Sequence, residues 1–535
     1  MAPRPRMLAA VLVVLVATLG AKGNGCPPNL PQGAIHLGGE LALPIPTTAN
    51  EDLEVADESG TVPTDGSLGT ATKGADGHWH YAAPLVMPKG ALAIIQTKQT
   101  QTPAYQVRLT EGRAAYIRPF DVLADEPGGA PGLPALGATE RESATTGRQR
   151  IAQELDRAKA AGLNIVLVEA YYHGYTLWPT QVGRQRPSSI GGGVAVYDAG
   201  GVVGGQLAQT WDPVRAYLTE AHSRDIEVHL WLEVFYAWTR HLQSGPVGTP
   251  TGSSWLWAKH PDWFNMKRKL PGVNPGGEVV SVAEDGKYFL DPRHPLVTAY
   301  LYGLVEEIYN RYPDVDGVHL DYVRYPKHTS GSAPSWYGAG KYYDAFGFNP
   351  ATFSQFETQT GISAAMLDPT NVSGAAWQTF TQWKTQAVTD VVASIHALTQ
   401  QLAPQVVLSA SVFPVADSAL KMQDPLAWGK QQLVDILLPQ LYYTSVQAME
   451  AAGDPFVNAL HDKVGIYPIF YVPHLFDLKS GSLKAGGDQY LSYAARRGLP
   501  GTALFILTGK TTGISSAMAA LLTGAGGRYE HPAEP

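Results

Sequence analysis

The segment Asp316-Gly317-Val318-His319-Leu320-Asp321-Tyr322-Val323-Arg324-Tyr325-Pro326 puts glycine, histidine and aspartate on one face and aliphatic residues on the other. That alternation is the period of a strand, and a glycine at its start suits a crowded interior. A second run, Val228-His229-Leu230-Trp231-Leu232-Glu233, repeats the arrangement: His229, Trp231 and Glu233 share a face, and an acid again ends the apolar stretch. Between the two lies 295–311, where Val297, Leu301, Leu304, Val305 and Ile308 recur at helical spacing while Glu306 and Glu307 fall off that side. Strand, amphipathic helix, strand is the building unit of a parallel sheet.

The unit recurs along the chain. Apolar runs of strand length occupy 114–117, 164–168, 227–232, 317–320, 406–410, 435–438, 464–470 and 502–507. Helical patterns fill 148–161, 214–223, 295–311, 377–402, 446–460, 490–497 and 514–522. Eight strand runs alternating with helical stretches predict an α/β fold of the (β/α)8 TIM-barrel type over 113–525, with right-handed connections. An open doubly wound sheet is the competing architecture. Against its dinucleotide site, Tyr116-Ile117-Arg118-Pro119-Phe120-Asp121 offers no glycine after the first strand. The long insertions 181–210, 239–287 and 326–349 all follow strands and precede helices, which places them at the C-terminal end of a parallel barrel, where active sites are built.

Upstream, 27–112 reads as a small β-rich module or linker, and 526–535 as a flexible tail. Arg4 and Arg6 precede an apolar run over 7–19, the pattern of a secretory signal within 1–25 that is too short to span a bilayer. Cys26, the single cysteine, follows it. It is the candidate lipidation site, with simple secretion as the alternative, so any membrane contact is expected only through that anchor. One cysteine excludes a disulfide framework. A net charge of −8 without basic runs speaks against a nucleic-acid partner.

Glu233 and Asp321 end neighbouring strands at equal heights, where two carboxylates meet the demand of glycoside hydrolysis for an acid and a nucleophile or base. Glu233 is expected to be the general acid and Asp321 the nucleophile or general base, with Arg324 and His319 tuning and orienting them. Tyr175, Trp178, Trp231, Gln440 and Tyr442 are the expected sugar-binding residues, with Glu169, His229 and Tyr325 as further groups lining the cleft. Asp424 before Pro425 is expected to cap a helix. His229 and His319 lack a zinc or two-histidine-carboxylate pattern, so neither metal nor cofactor is expected. A barrel that binds carbohydrate or serves as an envelope scaffold without turnover is the rival reading. A metal-dependent polysaccharide deacetylase would need a clustered Asp/His ligand set.

The stretch from about 114 to 510 resembles glycosyl-hydrolase-like family 10, bacterial proteins of glycoside-hydrolase type on a TIM barrel. The matching motifs are Gly174-Tyr175-Thr176-Leu177-Trp178-Pro179-Thr180, Glu220-Ala221-His222 leading into Val228-His229-Leu230-Trp231-Leu232-Glu233, and His260-Pro261-Asp262-Trp263-Phe264. Leu290-Asp291-Pro292, Asp316 through Pro326, and Asp435 through Pro439-Gln440-Leu441-Tyr442-Tyr443 follow in order. The resemblance implies a secreted or lipid-anchored envelope protein acting on a polysaccharide, bacterial cell-wall glycan among the candidates, with Asp321 and Glu233 in its cleft.

Overall fold

The computed structural model describes residues 112–119, 144–185, 212–239, 254–268, 286–327, 346–368, 373–460, 463–477, 483–497 and 499–507, with short strands and single positions elsewhere. The expected signal run 7–19, Cys26, the helical pattern at 514–522 and the tail 526–535 lie outside the described residues. Six short strands between Glu40 and Arg108 pair antiparallel in a sheet of their own.

The principal sheet is parallel. Its strands are β1 (Gly112–Ile117), β2 (Ile165–Tyr172), β3 (Glu227–Glu233), β4 (Gly317–Asp321), β5 (Val407–Val412), β6 (Ile436–Pro439), β7 (Gly465–Ile466 with Ile469–Tyr471) and β8 (Gly501–Leu507). Each pairs in parallel with its sequence neighbours, and β8 pairs with β1. The first segment of β7 pairs with β6 and the second with β8, so the sheet returns on itself. Helices α1 (Ala144–Ala160), α2 (Pro213–His222), α3 (Pro295–Arg311), α4 (Ala375–Leu402), α5 (Pro425–Lys430), α6 (Val446–Leu460) and α7 (Gly487–Arg496) follow β1 to β7 in turn, α4 being preceded by a shorter helix over Pro350–Thr360.

Local chemistry sets several helix starts. Asp212 accepts the Arg215 N–H at 3.0 Å ahead of Pro213, and Asp424 accepts the Ala427 N–H at 3.0 Å ahead of Pro425. In both, a proline whose missing N–H costs nothing occupies the first turn. The apolar stripe of α3 is buried as its spacing requires, from Val297 to Ile308.

Alternation along the strands divides the core in two. Ala115, Ile117, Val166, Val168, Leu230, Leu232, Val318, Leu320, Leu408 and Ala410 pack outward against the helices. Ala114, Tyr116, Ile165, Leu167, Trp231, Val407, Ile436, Leu438, Ile469 and Ala503 form a separate cluster facing inward. Period two is the cause: in a closed sheet one face has only itself to pack on.

Polar residues just ahead of the even strands tie the N-terminal end. Asn164 accepts the Arg113 N–H at 2.8 Å, Asp316 the Val228 N–H at 2.8 Å, and Asp435 the Leu408 N–H at 2.7 Å. Their own carbonyls accept from Glu227, Val407 and Gly465 on the next strand. Each therefore joins three strands. Higher up, Gly317 lies in register with His229, and a β-carbon there would meet the imidazole at 2.5 Å. Gly317→Ala is expected to destabilise the protein by about 1–3 kcal/mol through overpacking. Denaturant unfolding measures the loss, and His229→Ala in the same chain should recover much of it.

Candidate active site

Register between β3 and β4 stacks the inward residues in levels: His229 with Gly317, Trp231 with His319, and Glu233 with Asp321 at the C-terminal rim. Adjacent strands run about 4.8 Å apart, so the two acids are direct neighbours. A third acid, Glu169, comes from β2, in register with Trp231. A bulge follows it, two residues (Ala170 and Tyr171) facing one step of β3, so both join the outer cluster and Tyr172 turns to the rim.

The acids sit in contrasting surroundings. Glu233 is fully buried, and neither carboxyl oxygen closes a hydrogen bond. Burial first, then the charges of Glu169 and Asp321, push its carboxyl well above the usual range, against the opposing pull of Arg118 and Lys287. Asp321 is pushed up to about 6 by burial, held back by the Tyr322 N–H and by Arg324, Arg118 and the Trp231 indole. The Tyr322 N–H donates to Asp321 Oδ1 at 2.7 Å, with Tyr322 itself in the left-handed region at φ 49°. A bulky residue there carries a backbone cost, and the turn brings its ring back beside both acids. Asp321, at about 6, is largely ionised at pH 7, while burial favours the protonated form of Glu233.

Cations and aromatic rings enclose them. Arg118, just past β1, pairs with Glu169 at 3.2 Å, and its guanidinium lies 5.5–5.9 Å from the Tyr172, Trp231 and Phe505 ring centres. Arg324 is held among Phe289, Tyr322 and Phe413 at 5.0–5.2 Å. A two-stranded antiparallel ribbon pairing Tyr236–Thr239 with Lys287–Phe289 carries Lys287 over the Tyr236 and Tyr322 rings. Across the rim Tyr442, Tyr471 and Phe505 group with centroids 5.7–6.4 Å apart, Tyr471 being 36% exposed.

Of the residues singled out by sequence, Glu169, Glu233, Asp321, Arg324 and Tyr442 meet at this rim, with Gln440 bridging to Ile469 at the end of β6. The others are placed elsewhere. The Trp178 indole donates to Glu307 on α3, Tyr175 packs in the outer cluster, and the Tyr325 hydroxyl donates to Asp291 behind the strands. His229 lies two levels down, beside Glu227 at 3.4 Å. Trp231 and His319 lie one level below Glu233 and Asp321, at the height of Glu169. His319 contacts Tyr116 and Ser409 at 2.9 Å each, and burial keeps it neutral. Sequence reading missed Arg118, Tyr172, Lys287, Tyr322 and Tyr471. The clue for Arg118 was its place directly after the first strand. Asp424 caps its helix as expected. Among the described residues no group of three His, Cys, Asp or Glu is arranged to hold a metal ion.

A parallel sheet closed on itself, flanked by helices and carrying acids at its C-terminal rim, is an α/β fold of glycoside-hydrolase type. Residues 139–462 match the glycosyl hydrolase-like 10 family, and the chain belongs to it. It is 22% identical over 330 residues to Glycosyl hydrolase DigH of Escherichia coli O6:H1, covering 56% of this chain and 60% of that protein, and 26% identical over 190 residues to its counterpart in Escherichia coli K12, covering 33% and 35%. The chain thus spans less than two thirds of the relatives it matches. Among solved structures it is similar to alpha-L-fucosidase isoenzyme 2 from Paenibacillus thiaminolyticus (12% identity, TM-score 0.44, 78% of this chain and 50% of that one). A second is the catalytic domain of beta-amylase from Paenibacillus polymyxa (11%, 0.44, 76% and 97%).

The raised carboxyls have a stability consequence. Between the unfolded Asp value and about 6, native Asp321 holds a proton that the unfolded chain has released, so its contribution to stability is lost as pH rises through that window. Asp321→Asn is expected to raise stability at pH 7 by on the order of 2 kcal/mol, with the gain vanishing toward pH 4. Melting temperatures of the two proteins across pH 4–8 measure it.

Proposed function

We propose that this protein is a (β/α)8 glycoside hydrolase that cleaves glycosidic bonds of a polysaccharide, bacterial cell-wall glycan in particular, without a cofactor. The observation that carries this is the register pairing of Glu233 with Asp321 at the rim, where burial raises both carboxyls, Asp321 to about 6. Glu233 gives its proton to the leaving glycosidic oxygen. Asp321 attacks the anomeric carbon or takes the proton of the water that does. Arg324 steadies the ionised Asp321, and Tyr442 with Tyr471 offers rings to the apolar faces of a sugar across from the acids. Glu233 is screened from solvent, with Tyr236, Tyr322 and Lys287 close around it, so the sugar must displace part of that cover to reach the acid. The export-type run at 7–19 and Cys26 complete the proposal: a secreted or lipid-anchored envelope protein whose partner is its polysaccharide.

The test is release of reducing ends from peptide-free peptidoglycan strands and a panel of other polysaccharides. Asp321→Asn and Glu233→Gln are each expected to lower kcat at least 100-fold on the cleaved glycan. Wild-type turnover in both variants overturns the assignment. Tight binding by the wild type with no product from any glycan makes the protein a carbohydrate-binding barrel instead. The wild-type rate should rise as pH passes about 6, where Asp321 ionises, and fall once Glu233 loses its proton.

A further inference from the structure

Past the end of β2 the chain reverses within two residues. Tyr172 pairs antiparallel with Tyr175, and between them His173 and Gly174 both lie in the left-handed region, at φ 53° and 80°. Two such residues in a row are what a tight hairpin demands, and asparagine before glycine meets that demand best. A histidine in the first place brings an imidazole that the turn itself does not use. The imidazole is 2% exposed, stacks on the Tyr172 ring at 3.5 Å, and its Nε2 meets the Tyr236 hydroxyl at 2.9 Å.

From Tyr236 the contacts run on to Asp321. Its ring centre lies 5.0 Å from that of Tyr322 and 6.0 Å from that of Phe289, which is 6.1 Å from Tyr322 in turn. The two residues before Tyr236 are bonded to the same turn: the Val234 N–H donates to the Asp321 carbonyl at 2.8 Å and the Phe235 N–H to that of Tyr322 at 3.3 Å. Tyr322, held at φ 49°, gives its own N–H to Asp321 Oδ1 at 2.7 Å.

Resting on the reading of Asp321 as nucleophile or base, we propose that His173 is a positioning residue. By holding the Tyr236 hydroxyl it keeps that ring against Tyr322, the left-handed turn in place, and the Tyr322 N–H on the Asp321 carboxylate. His173 touches no substrate in this scheme. It acts through Tyr236 and Tyr322.

An N–H aimed at a carboxylate favours its ionised form, so loosening the turn should let Asp321 keep its proton to higher pH. The other groups facing Asp321 are Glu233 on β3, Tyr116 on β1, Arg118 beyond it, Arg324 beyond β4 and Tyr442 beyond β6. The ring contacts of His173 are with Tyr172, Tyr236 and Trp238, outside that set.

His173→Asn gives the turn a residue it favours and a side chain too short to reach the hydroxyl. Tyr236→Phe removes the hydroxyl and leaves the Tyr172 stack alone. A readout that needs no turnover is the melting-temperature difference between Asp321→Asn and its Asp321 parent, followed from pH 4 to 8. In the wild-type background it should level off above about 6. In either variant background it should level off about half a pH unit higher, and the two changes together should move it no further than one alone. The acid limb of the pH–kcat profile on a cleaved glycan should move by the same amount. A levelling point that stays in place while the parent simply melts lower makes His173 a structural turn residue and overturns the proposal. Shifts that add in the double variant mean that the two side chains act separately, and overturn it too. If His173→Asn does not fold, the levelling point in Tyr236→Phe decides. If Asp321→Asn keeps wild-type turnover, the hydrolytic reading fails while the melting curves still decide the positioning.

Discussion

Strict alternation around a closed parallel sheet is the constraint from which the rest follows. Once the ends of the sheet meet in β7, every second residue of every strand points into a lumen that only its own kind can fill. Tyr116, Trp231, Leu167, Leu438 and Ile469 fill it, with His319 lodged among Tyr116, Ser409 and Ser411 so that its ring nitrogens have partners. Above them the inward positions continue but apolar packing stops. Glu233 and Asp321 stand there because the same face of the strand has reached the rim, with Glu169 one level lower beside Trp231.

That rim concentrates the costs of the molecule. It holds a carboxyl with no hydrogen bond, another raised by burial, and a tyrosine in a left-handed backbone conformation. Such features persist only where surrounding structure overdetermines them. The outer apolar cluster and the polar ties at the opposite end supply that excess. Stability and chemistry are thus assigned to different ends of the same strands, with Trp231 and His319 forming the floor between them.

The strands were legible in the sequence because buried parallel strands write their length as apolar runs; β3 and β4 begin where the runs begin and extend one residue beyond the apolar stretch, to the acids. The equal height of Glu233 and Asp321 followed from counting, since both runs end in an acid and the strands pair without a slip. Where counting met a bulge or a turn it failed. After Glu169 the chain steps sideways and doubles back through Tyr172 and Tyr175, so Trp178 ends against α3 rather than at the rim. Tyr325 lies beyond the left-handed turn at Tyr322, which throws it outward to Asp291. His229 lies on the same face as Glu233, two levels below it. Arg118 and Lys287 were hidden for another reason: each reaches Glu233 from a segment far away in sequence, and charge partners at such separation leave no periodic trace.

Asn164, Asp316 and Asp435 give the protein its most general property. By settling strand order and closure at the end remote from the acids, they free the opposite loops from any part in deciding the topology. Segments as long as 239–287 are then inserted, lengthened or exchanged as grafts on a finished frame. What such a frame accepts then becomes a matter of editing loops, with the order of the strands beneath them left as it is.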